Sequence, residues 1–340
     1  MTQTFPLSRD AANRVRYRPG PGRGHYESYF IRANHPDEPL AFWIRYTIFN
    51  PANPEGRPLG EIWATFFDGR NGIHVSVKNE LPLSSCVFGT GELRVKVGDT
   101  ALDGRTAQGT AHSSGNTIGW NLAYAGDSPP LLLLPPEKYE AGFPKAKSLV
   151  SLPMAVFSGT MTVNGITVPV DRWVGSQNHN WGVKHTDHYA WGQVAGFDGH
   201  PGSFLEIITA RLRIGPFWTP FMTIMVLRHR GGEYALNTVL QGLRADGAFS
   251  YFHWDFASKR RDISIEGTLE ASRDDFVGLT YYNPPGGVKY CLNTKIASCR
   301  LRVAAGRDAH DIPPEVLETR SRAAFEILTD DRAHGVRMHV

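Results

Sequence analysis

Residues 159–170 read GTMTVNGITVPV, and they carry the plainest structural signal in the chain. Two short runs of apolar and β-branched residues flank Asn164-Gly165. That dipeptide readily adopts the two positive φ angles of a type I′ turn, which joins antiparallel strands. The stretch therefore predicts a β-hairpin, and it indicates that the neighbouring segments are antiparallel strands as well.

Similar runs of aromatic and β-branched residues recur along the chain between turn signals. They include YESYFIRA (26–33), LAFWIRYTIF (40–49), GEIWATFFDG (60–69), HYAWGQVAGF (188–197), SFLEIITARLRI (203–214) and FMTIMVLRHR (221–230). The 35 glycines and 23 prolines supply many turns. About eight runs on each side of residue 180 favour an all-β protein with two packed antiparallel barrels, spanning 1–184 and 185–340. One stretch differs, because the Pro start and apolar spacing of PPEVLETRSRAAFEILT (313–329) predict a short C-terminal helix.

Composition excludes several classes of function. The net charge is +3 and the basic residues are dispersed, which argues against a nucleic-acid partner. Three cysteines without close spacing indicate neither a disulfide framework nor a zinc ribbon, and they suit a reducing compartment. The longest apolar stretch, PPLLLLPP (129–136), is too short to span a bilayer. With no secretory signal visible, we expect a cytoplasmic protein without stable membrane insertion.

The segment GSQNHNWGVKHTDHYAWGQ (175–193) contains three histidines and two tryptophans. The spacing of His179, His185 and His188 suggests metal ligation as one interpretation. On a strand, however, His185 and His188 point to opposite faces, so we expect no metal site. A catalytic or ligand-lining role remains open, as does simple hydrogen bonding across a domain junction. Ala190 and Gly192 lie on the same strand face as His188. If that face contacts a ligand, these small residues leave room for it.

Glu206 is the acidic residue of the otherwise apolar strand SFLEIITARL. By period two it shares a face with Phe204 and Ile208, and a carboxyl on an apolar face has a raised pKa. Such a group acts as a proton donor near neutrality. The alternative is a buried ion pair with Arg45 or Arg228.

Several of these stretches together resemble the family of two-domain lipocalin-like proteins that includes AttH-like proteins and carotenoid 1,2-hydratases. They are YESYFIRANHP (26–36), GEIWATFFDG (60–69), FPKAKSLV (143–150), GSQNHNWG (175–182) and YAWGQVAGFDG (189–199). Tocopherol cyclases, kievitone hydratases and lipocalin-like Diels–Alderases are more distantly similar. The resemblance implies two calycin-type barrels with an apolar pocket near their junction.

The resemblance also implies chemistry without a metal or redox cofactor, by addition of water to an isoprenoid or polyene substrate or by its cyclisation. A His-x-Trp element of the hydratases corresponds to His179-Asn180-Trp181. Their later aromatic-x-acid element corresponds more loosely to Phe204-Leu205-Glu206, which has Glu in place of Asp and an aromatic ring without a hydroxyl.

Three functional hypotheses follow. The first is a cofactor-independent hydratase, cyclase or isomerase that acts on a hydrophobic substrate. Its predicted catalytic residues are Glu206, His179 and His188, and its predicted substrate-binding residues are Trp181, Tyr189, Trp191, Asn178 and Gln193. The second is a non-catalytic carrier or sensor of a lipophilic ligand. The third is a metal-dependent hydrolase that uses the three histidines of the 175–193 segment.

Overall fold

The structure is a computed structural model that describes residues 7–20, 22–306 and 313–340. Antiparallel strands dominate it, as the sequence predicts. Twelve strands form the first sheet: β1 (His25–Asn34), β2 (Leu40–Asn50), β3 (Leu59–Asp68), β4 (Ile73–Pro82), β5 (Cys86–Phe88), β6 (Arg94–Val97), β7 (Thr100–Asp103), β8 (Thr106–Ser113), β9 (Asn116–Ala125), β10 (Leu131–Leu132), β11 (Ala146–Val163) and β12 (Ile166–Gly182).

The later strands form a second sheet of ten strands and a separate two-stranded hairpin. The sheet contains β13 (His188–Phe197), β14 (His200–Arg211), β17 (Met222–His229), β18 (Gly232–Leu236), β19 (Asp246–Ser250), β20 (His253–Lys259), β21 (Ile263–Glu270), β22 (Val277–Tyr282), β23 (Val288–Ala305) and β24 (Glu315–Thr329). The hairpin pairs β15 (Arg213–Ile214) with β16 (Phe217–Trp218). The chain changes sheets between Gly182 and His188, and we propose 1–184 and 185–340 as the bounds of two domains.

Helical segments are short. The described residues contain α1 (Arg9–Asn13), α2 (Val239–Arg244) and three 3-10 turns at Leu83–Ser85, Pro136–Lys138 and Arg273–Asp275. No described helix has the length and apolar character that crossing a bilayer demands.

The predicted hairpin is confirmed. Asn164 and Gly165 have φ angles of 49° and 83°, and they join β11 to β12. The neighbouring order β1–β12–β11–β9 makes this hairpin the centre of the first sheet. At Gly175, β12 crosses β1 so closely that a Cβ would lie 1.8 Å from the Arg32 carbonyl oxygen. Only glycine permits this approach.

Each sheet curls around its own apolar core. In the first, β4 lies against β8, where the Asn79 side chain donates to the His112 carbonyl (2.7 Å) and accepts from the His112 amide (3.0 Å). In the second, Trp254 of β20 donates to Thr209 of β14 at 3.1 Å, and Thr209 bonds Thr223 of β17 at 2.7 Å. These contacts bring distant strands of each sheet together, so each sheet forms a barrel.

The predicted C-terminal helix is wrong, because Glu315–Thr329 is strand β24 between β13 and β23. The last seven residues of β24, Ala323–Thr329, are all buried, since one face packs in the second barrel and the other against the first half. A strand buried on both faces loses its alternating pattern, and its continuous apolar run resembles a buried helix.

A third apolar cluster lies between the two halves. From the first sheet it contains Phe30, Ala41, Trp43, Trp63 and Phe67, and from the second Trp191, Val277, Leu279, Tyr281, Cys291, Ile296, Ala324 and Leu328. All eleven residues of β2 are buried, because one face lines the first barrel and the other faces this interface. The outer faces of the two barrels therefore form a shared core, in which the candidate site lies.

Candidate functional site at the junction of the two barrels

A cavity of about 120 Å³ lies between the barrels. Its buried wall consists of aromatic and charged side chains from both sheets. The lining includes Tyr26, Phe30, Trp43, Arg45, Leu133, Leu134, Ala146, Lys147, Ser148, Leu149, Asn178, His179, Asn180, His185, Thr186, Tyr189, Trp191, Glu206, Ile208, Ile224, Tyr281 and Glu326. Strands β1, β2 and β12 thus face β13, β14, β22 and β24 across one space, and five predicted site residues line it: Asn178, His179, Tyr189, Trp191 and Glu206.

Glu206 lines this cavity and is 2 % exposed. Its Oε1 accepts a hydrogen bond from Trp191 Nε1 at 2.9 Å, and its Oε2 accepts one from Gln193 Nε2 at 2.7 Å. Burial raises the pKa of Glu206 to about 7, although these two hydrogen bonds oppose the shift. A carboxyl with this pKa exists in both protonation states near neutral pH, as a general acid or base requires.

This pKa predicts a specific dependence of stability on pH. The unfolded chain releases the Glu206 proton near the ordinary glutamate pKa of 4.5, whereas the folded protein retains it up to about 7. The free energy of unfolding is therefore expected to fall by about 3 kcal/mol between these two pH values and to stay level above them. Glu206→Gln removes this proton. The difference in the free energy of unfolding between variant and wild type, measured by urea denaturation, is therefore expected to change by the same amount over this pH range. A difference that is independent of pH would contradict the raised pKa.

Gln193 connects Glu206 to a buried arginine. Its Oε1 accepts from Arg32 Nε at 2.8 Å and from Ser176 Oγ at 2.6 Å, which fixes the orientation of the amide. Its Nε2 then donates to Glu206 and, at 2.8 Å, to Asn178 Oδ1. The sequence suggested an ion pair of Glu206 with Arg45 or Arg228, but the structure places an amide between the carboxyl and its cation, Arg32. Without a direct ion pair, the carboxyl keeps its raised pKa.

A second buried carboxyl, Glu326 of β24, also lines the cavity and is directly paired. Its Oε1 lies 2.7 Å from Lys295 Nζ and accepts from Asn293 Nδ2 at 2.9 Å. Lys295 is fully buried, and its ammonium lies 5.6 Å from the ring centroid of Trp43 and 5.5 Å from that of Trp191. The two carboxyls of the site therefore have different partners: Glu206 accepts from two neutral donors, whereas Glu326 contacts a buried cation.

Four polar atoms of the cavity lining are buried without a hydrogen-bond partner among the described residues. They are Trp43 Nε1, Arg45 Nε, Asn180 Oδ1 and Tyr281 OH. Arg45 is 5 % exposed, is held by Ser28 at 2.7 Å and lies 4.3 Å from the ring centroid of Tyr281. Unsatisfied buried polar groups are costly, and they cluster where a ligand or ordered water completes them.

His185 and Tyr26 form a stacked pair in the cavity lining, with ring centroids 4.0 Å apart. His185 Nε2 lies 3.2 Å from the Tyr282 carbonyl oxygen. Burial, with the positive charge of Arg45, lowers the pKa of His185 to about 3. His185 is therefore neutral at physiological pH and does not serve as a proton donor there.

His179 lies on the opposite face of β12 from Asn178 and belongs to a different network. Its Nε2 lies 2.8 Å from Glu27 Oε1 and its Nδ1 lies 2.8 Å from the Ala12 carbonyl oxygen, so both ring nitrogens are engaged. Glu27 also accepts from the main-chain amides of Arg16 and Tyr17. Burial alone would raise the pKa of Glu27, but hydrogen bonds from His179, His25 and Arg16 hold it well below its usual range. This network fastens residues 12–17 to the first barrel.

Tyr29 OH is a fifth donor to Glu27, at 2.9 Å. Glu27→Gln is expected to destabilise the protein by about 3 kcal/mol, because a neutral amide cannot accept from five donor groups at once. It is also expected to release residues 12–17, which limited trypsin digestion at Arg14 and Arg16 would detect. Glu137→Gln, on an exposed side chain, serves as the control. Trypsin resistance equal to that of the wild type would show that Glu27 does not hold this segment.

His188 and Trp181 lie outside the cavity lining. His188 Nδ1 lies 2.9 Å from the Leu328 carbonyl oxygen, and Trp181 packs with Ala12 and Leu149. The sequence also placed the ligand on the strand face of Ala190 and Gly192, whereas Tyr189 and Trp191, on the other face, line the cavity. The small residues have another cause: a Cβ on Gly192 would lie 2.8 Å from Leu269 and 3.1 Å from Trp254 in the second barrel.

The three histidines of the metal hypothesis do not converge. Each binds a different carbonyl or carboxylate group, as described above. Among the described residues, the group of three potential ligands whose atoms all lie within 4.8 Å of one another is His200, His229 and Glu315. Arg230 also binds both oxygens of Glu315, at 3.0 and 3.1 Å. The structure therefore does not support the metal-dependent hydrolase built on the 175–193 segment.

Comparisons with known proteins establish the fold. No family model matches the chain. An uncharacterized protein of Mycobacterium tuberculosis, present in strains H37Rv and CDC 1551, is 24% identical over 284 residues, which cover 82% of each chain. The crystal structure of an AttH-like protein from Nitrosomonas europaea has a TM-score of 0.55 at 13% identity, covering 90% of this chain and 92% of that one.

Two further solved structures are similar. Kievitone hydratase from Nectria haematococca has a TM-score of 0.59 at 11% identity, covering 97% of this chain and 95% of its own. CghA has a TM-score of 0.52 at 10% identity, covering 90% and 88%. The chain shares their fold. The resemblance to this group of proteins that the sequence suggested is confirmed for the fold.

Proposed function

We propose that the protein is a cofactor-independent enzyme that uses Glu206 to transfer a proton to or from an apolar small molecule. The observation that carries this proposal is a buried carboxyl with a pKa near 7 in the lining of a cavity with unsatisfied polar atoms. Hydration, cyclisation and isomerisation of a carbon–carbon double bond all need such a proton. The name of one structural neighbour, kievitone hydratase, is in keeping with this class.

The charges of the cavity favour one kind of intermediate. The rings of Trp43 and Trp191 lie near the ammonium of Lys295, and Tyr281 lies against Arg45, so these rings are already near positive charge. Rings that already contact cations are poorly placed to stabilise a carbocation, whereas a developing negative charge on oxygen would be stabilised by Arg45 and by the free N–H of Trp43. We infer that the substrate carries an oxygen function, conjugated to the reacting double bond.

In the hydration form of this reaction, water adds to the conjugated double bond while Arg45 and Trp43 stabilise the enolate oxygen. Glu206 then gives its proton to the adjacent carbon, the C=O bond is restored, and the proton released from the added water returns to the Glu206 carboxylate. The net change is the addition of one water molecule. The small cavity suits the reacting end of the substrate, while the rest lies toward the open side.

The experiment is a screen in D₂O with conjugated carbonyl compounds that carry prenyl or polyene chains, using wild type and Glu206→Gln. Mass spectrometry is expected to show carbon-bound deuterium in the wild-type product and none with the variant. Ligands that bind without any exchange or conversion would instead support a carrier or sensor, and the proposed reaction would be wrong.

A further inference from the structure

Large apolar side chains are exposed in four segments around the cavity: 143–147, 183–187, 211–218 and 239–246. We name these segments the rim. Their exposed apolar residues are Phe143, Val183, Ile214, Phe217, Trp218, Val239, Leu240 and Leu243. Phe217 is 74% exposed and Ile214 is 63% exposed at the tip of the β15–β16 hairpin. Contiguous exposed apolar surface of this kind marks an interaction site.

Hydrogen bonds and packing join the rim to itself and to the cavity. The Val183 amide donates to the Lys145 carbonyl at 3.3 Å, and the Arg213 amide donates to Asp187 at 2.9 Å. Asn237, just before α2, donates to the carbonyl of the cavity residue Leu133 at 3.0 Å. A Cβ on Gly242 of α2 would lie 3.0 Å from the cavity residue Ile224. Three rim segments are thus joined to one another, and α2 packs on residues of the cavity wall.

The open side of the cavity faces the rim. Most of its lining is buried, and nine lining residues are partly exposed: Leu134, Ala146, Lys147, Ser148, Asn180, Thr186, Tyr189, Ile208 and Ile224. Three of them, Ala146, Lys147 and Thr186, belong to rim segments. A ligand that reaches Glu206 from this side passes between the exposed apolar side chains.

The rim is also cationic. Its four segments contain six basic residues, Lys145, Lys147, Lys184, Arg211, Arg213 and Arg244, and two acidic ones, Asp187 and Asp246. Asp187 is already engaged by Lys184 at 2.8 Å and by the Arg213 amide. Arg211 lies 4.4 Å from the ring centroid of Trp218, which leaves basic and aromatic groups side by side.

We propose that the rim docks on the surface of an anionic phospholipid bilayer and admits an apolar ligand to the cavity from it. Exposed Phe, Trp and aliphatic side chains among Lys and Arg are the groups that bind the interface of such a bilayer. A second copy of the chain is disfavoured, because a two-fold interface would bring the same six cations together. Docking places the opening of the cavity at the bilayer, where an apolar ligand concentrates.

The test is sedimentation with vesicles, which requires no substrate. Wild-type protein is expected to sediment with vesicles of equal parts phosphatidylcholine and phosphatidylglycerol, and not with phosphatidylcholine alone. Ile214→Ser/Phe217→Ser is expected to weaken binding about tenfold or more, because it removes the exposed hairpin tip. Arg213→Gln is expected to weaken binding about fivefold, the contribution of one cation near an anionic surface.

The control is Ile73→Ser/Ile166→Ser, which removes two equally exposed apolar side chains from the first sheet outside the rim. It is expected to bind as wild type does. Circular dichroism checks that all variants fold. The proposal is overturned if the wild type stays in the supernatant with anionic vesicles, or if the hairpin variant binds unchanged. A wild-type dimer in analytical ultracentrifugation that the hairpin variant abolishes, without vesicle binding, would assign the rim to self-association instead. Glu206 plays no part in these measurements, so their outcome is independent of the proposed reaction.

Discussion

Glu206→Gln is expected to lower turnover by about 10²–10⁴-fold while leaving ligand affinity nearly unchanged. Glutamine keeps the shape of the side chain and can still accept from Trp191 or Gln193, but it has no ionisable proton. The expected loss is the usual contribution of a positioned general acid. Because the effect lies on the chemical step, kcat and kcat/KM are expected to fall together.

The pH profile gives a second readout of the same residue. The protonated carboxyl is the donor, so wild-type activity is expected to fall as pH rises through about 7. Glu318→Gln, on the exposed face of β24, is the matched control and is expected to retain full activity. Turnover by Glu206→Gln within a few-fold of wild type would remove Glu206 from the mechanism.

Lys295→Met is expected to destabilise the protein by about 3–5 kcal/mol, the largest effect of a single substitution at the site. Lys295 is fully buried and lies 2.7 Å from Glu326, itself 8 % exposed. Removal of the ammonium leaves the Glu326 carboxylate in a low-dielectric environment with Asn293 as its main remaining donor. Chemical denaturation at neutral pH measures the loss.

The double variant Lys295→Met/Glu326→Gln distinguishes the uncompensated charge from lost packing. It is expected to recover about 2 kcal/mol relative to Lys295→Met, since the neutral amide no longer needs a cation. Lys96→Met, on an exposed lysine of β6, is expected to change stability by less than about 0.5 kcal/mol. If the double variant were no more stable than Lys295→Met, the loss would come from packing and the buried pair would carry little energy.

The sequence was sufficient for many of the strands and for the central hairpin. Asn164-Gly165 specifies its turn through backbone conformation alone, which is a local property. A local signal for α2 is also present in the sequence, because Thr238 and Gln241 form a capping box. Strand β24 had no such signal, since burial on both faces removes the alternation by which strands are recognised.

The sequence also singled out Glu206, because a carboxyl in an apolar strand is conspicuous in any fold. Its surroundings could not be obtained in this way. Arg32, Arg45, Lys295 and Glu326 lie far apart in the sequence, and each is a lone charge in an apolar run that equally suits a solvent-facing position. These four charged side chains come together only where the outer faces of the two barrels meet. The position of that contact is set by the packing of the whole interface.

The sequence by itself thus determined the all-β architecture, the doubled set of strands and the presence of a carboxyl in an apolar strand, since propensity, turn chemistry and period-two alternation act over a few residues. The tertiary structure decided which face of each strand looks into the cavity. Alternation correctly separated Tyr189 and Trp191 from Ala190 and Gly192, but it cannot tell a barrel interior from a junction between barrels. Both environments are buried. Inside the second barrel, large side chains such as Trp254 fill the space opposite β13, so only a small residue fits at Gly192.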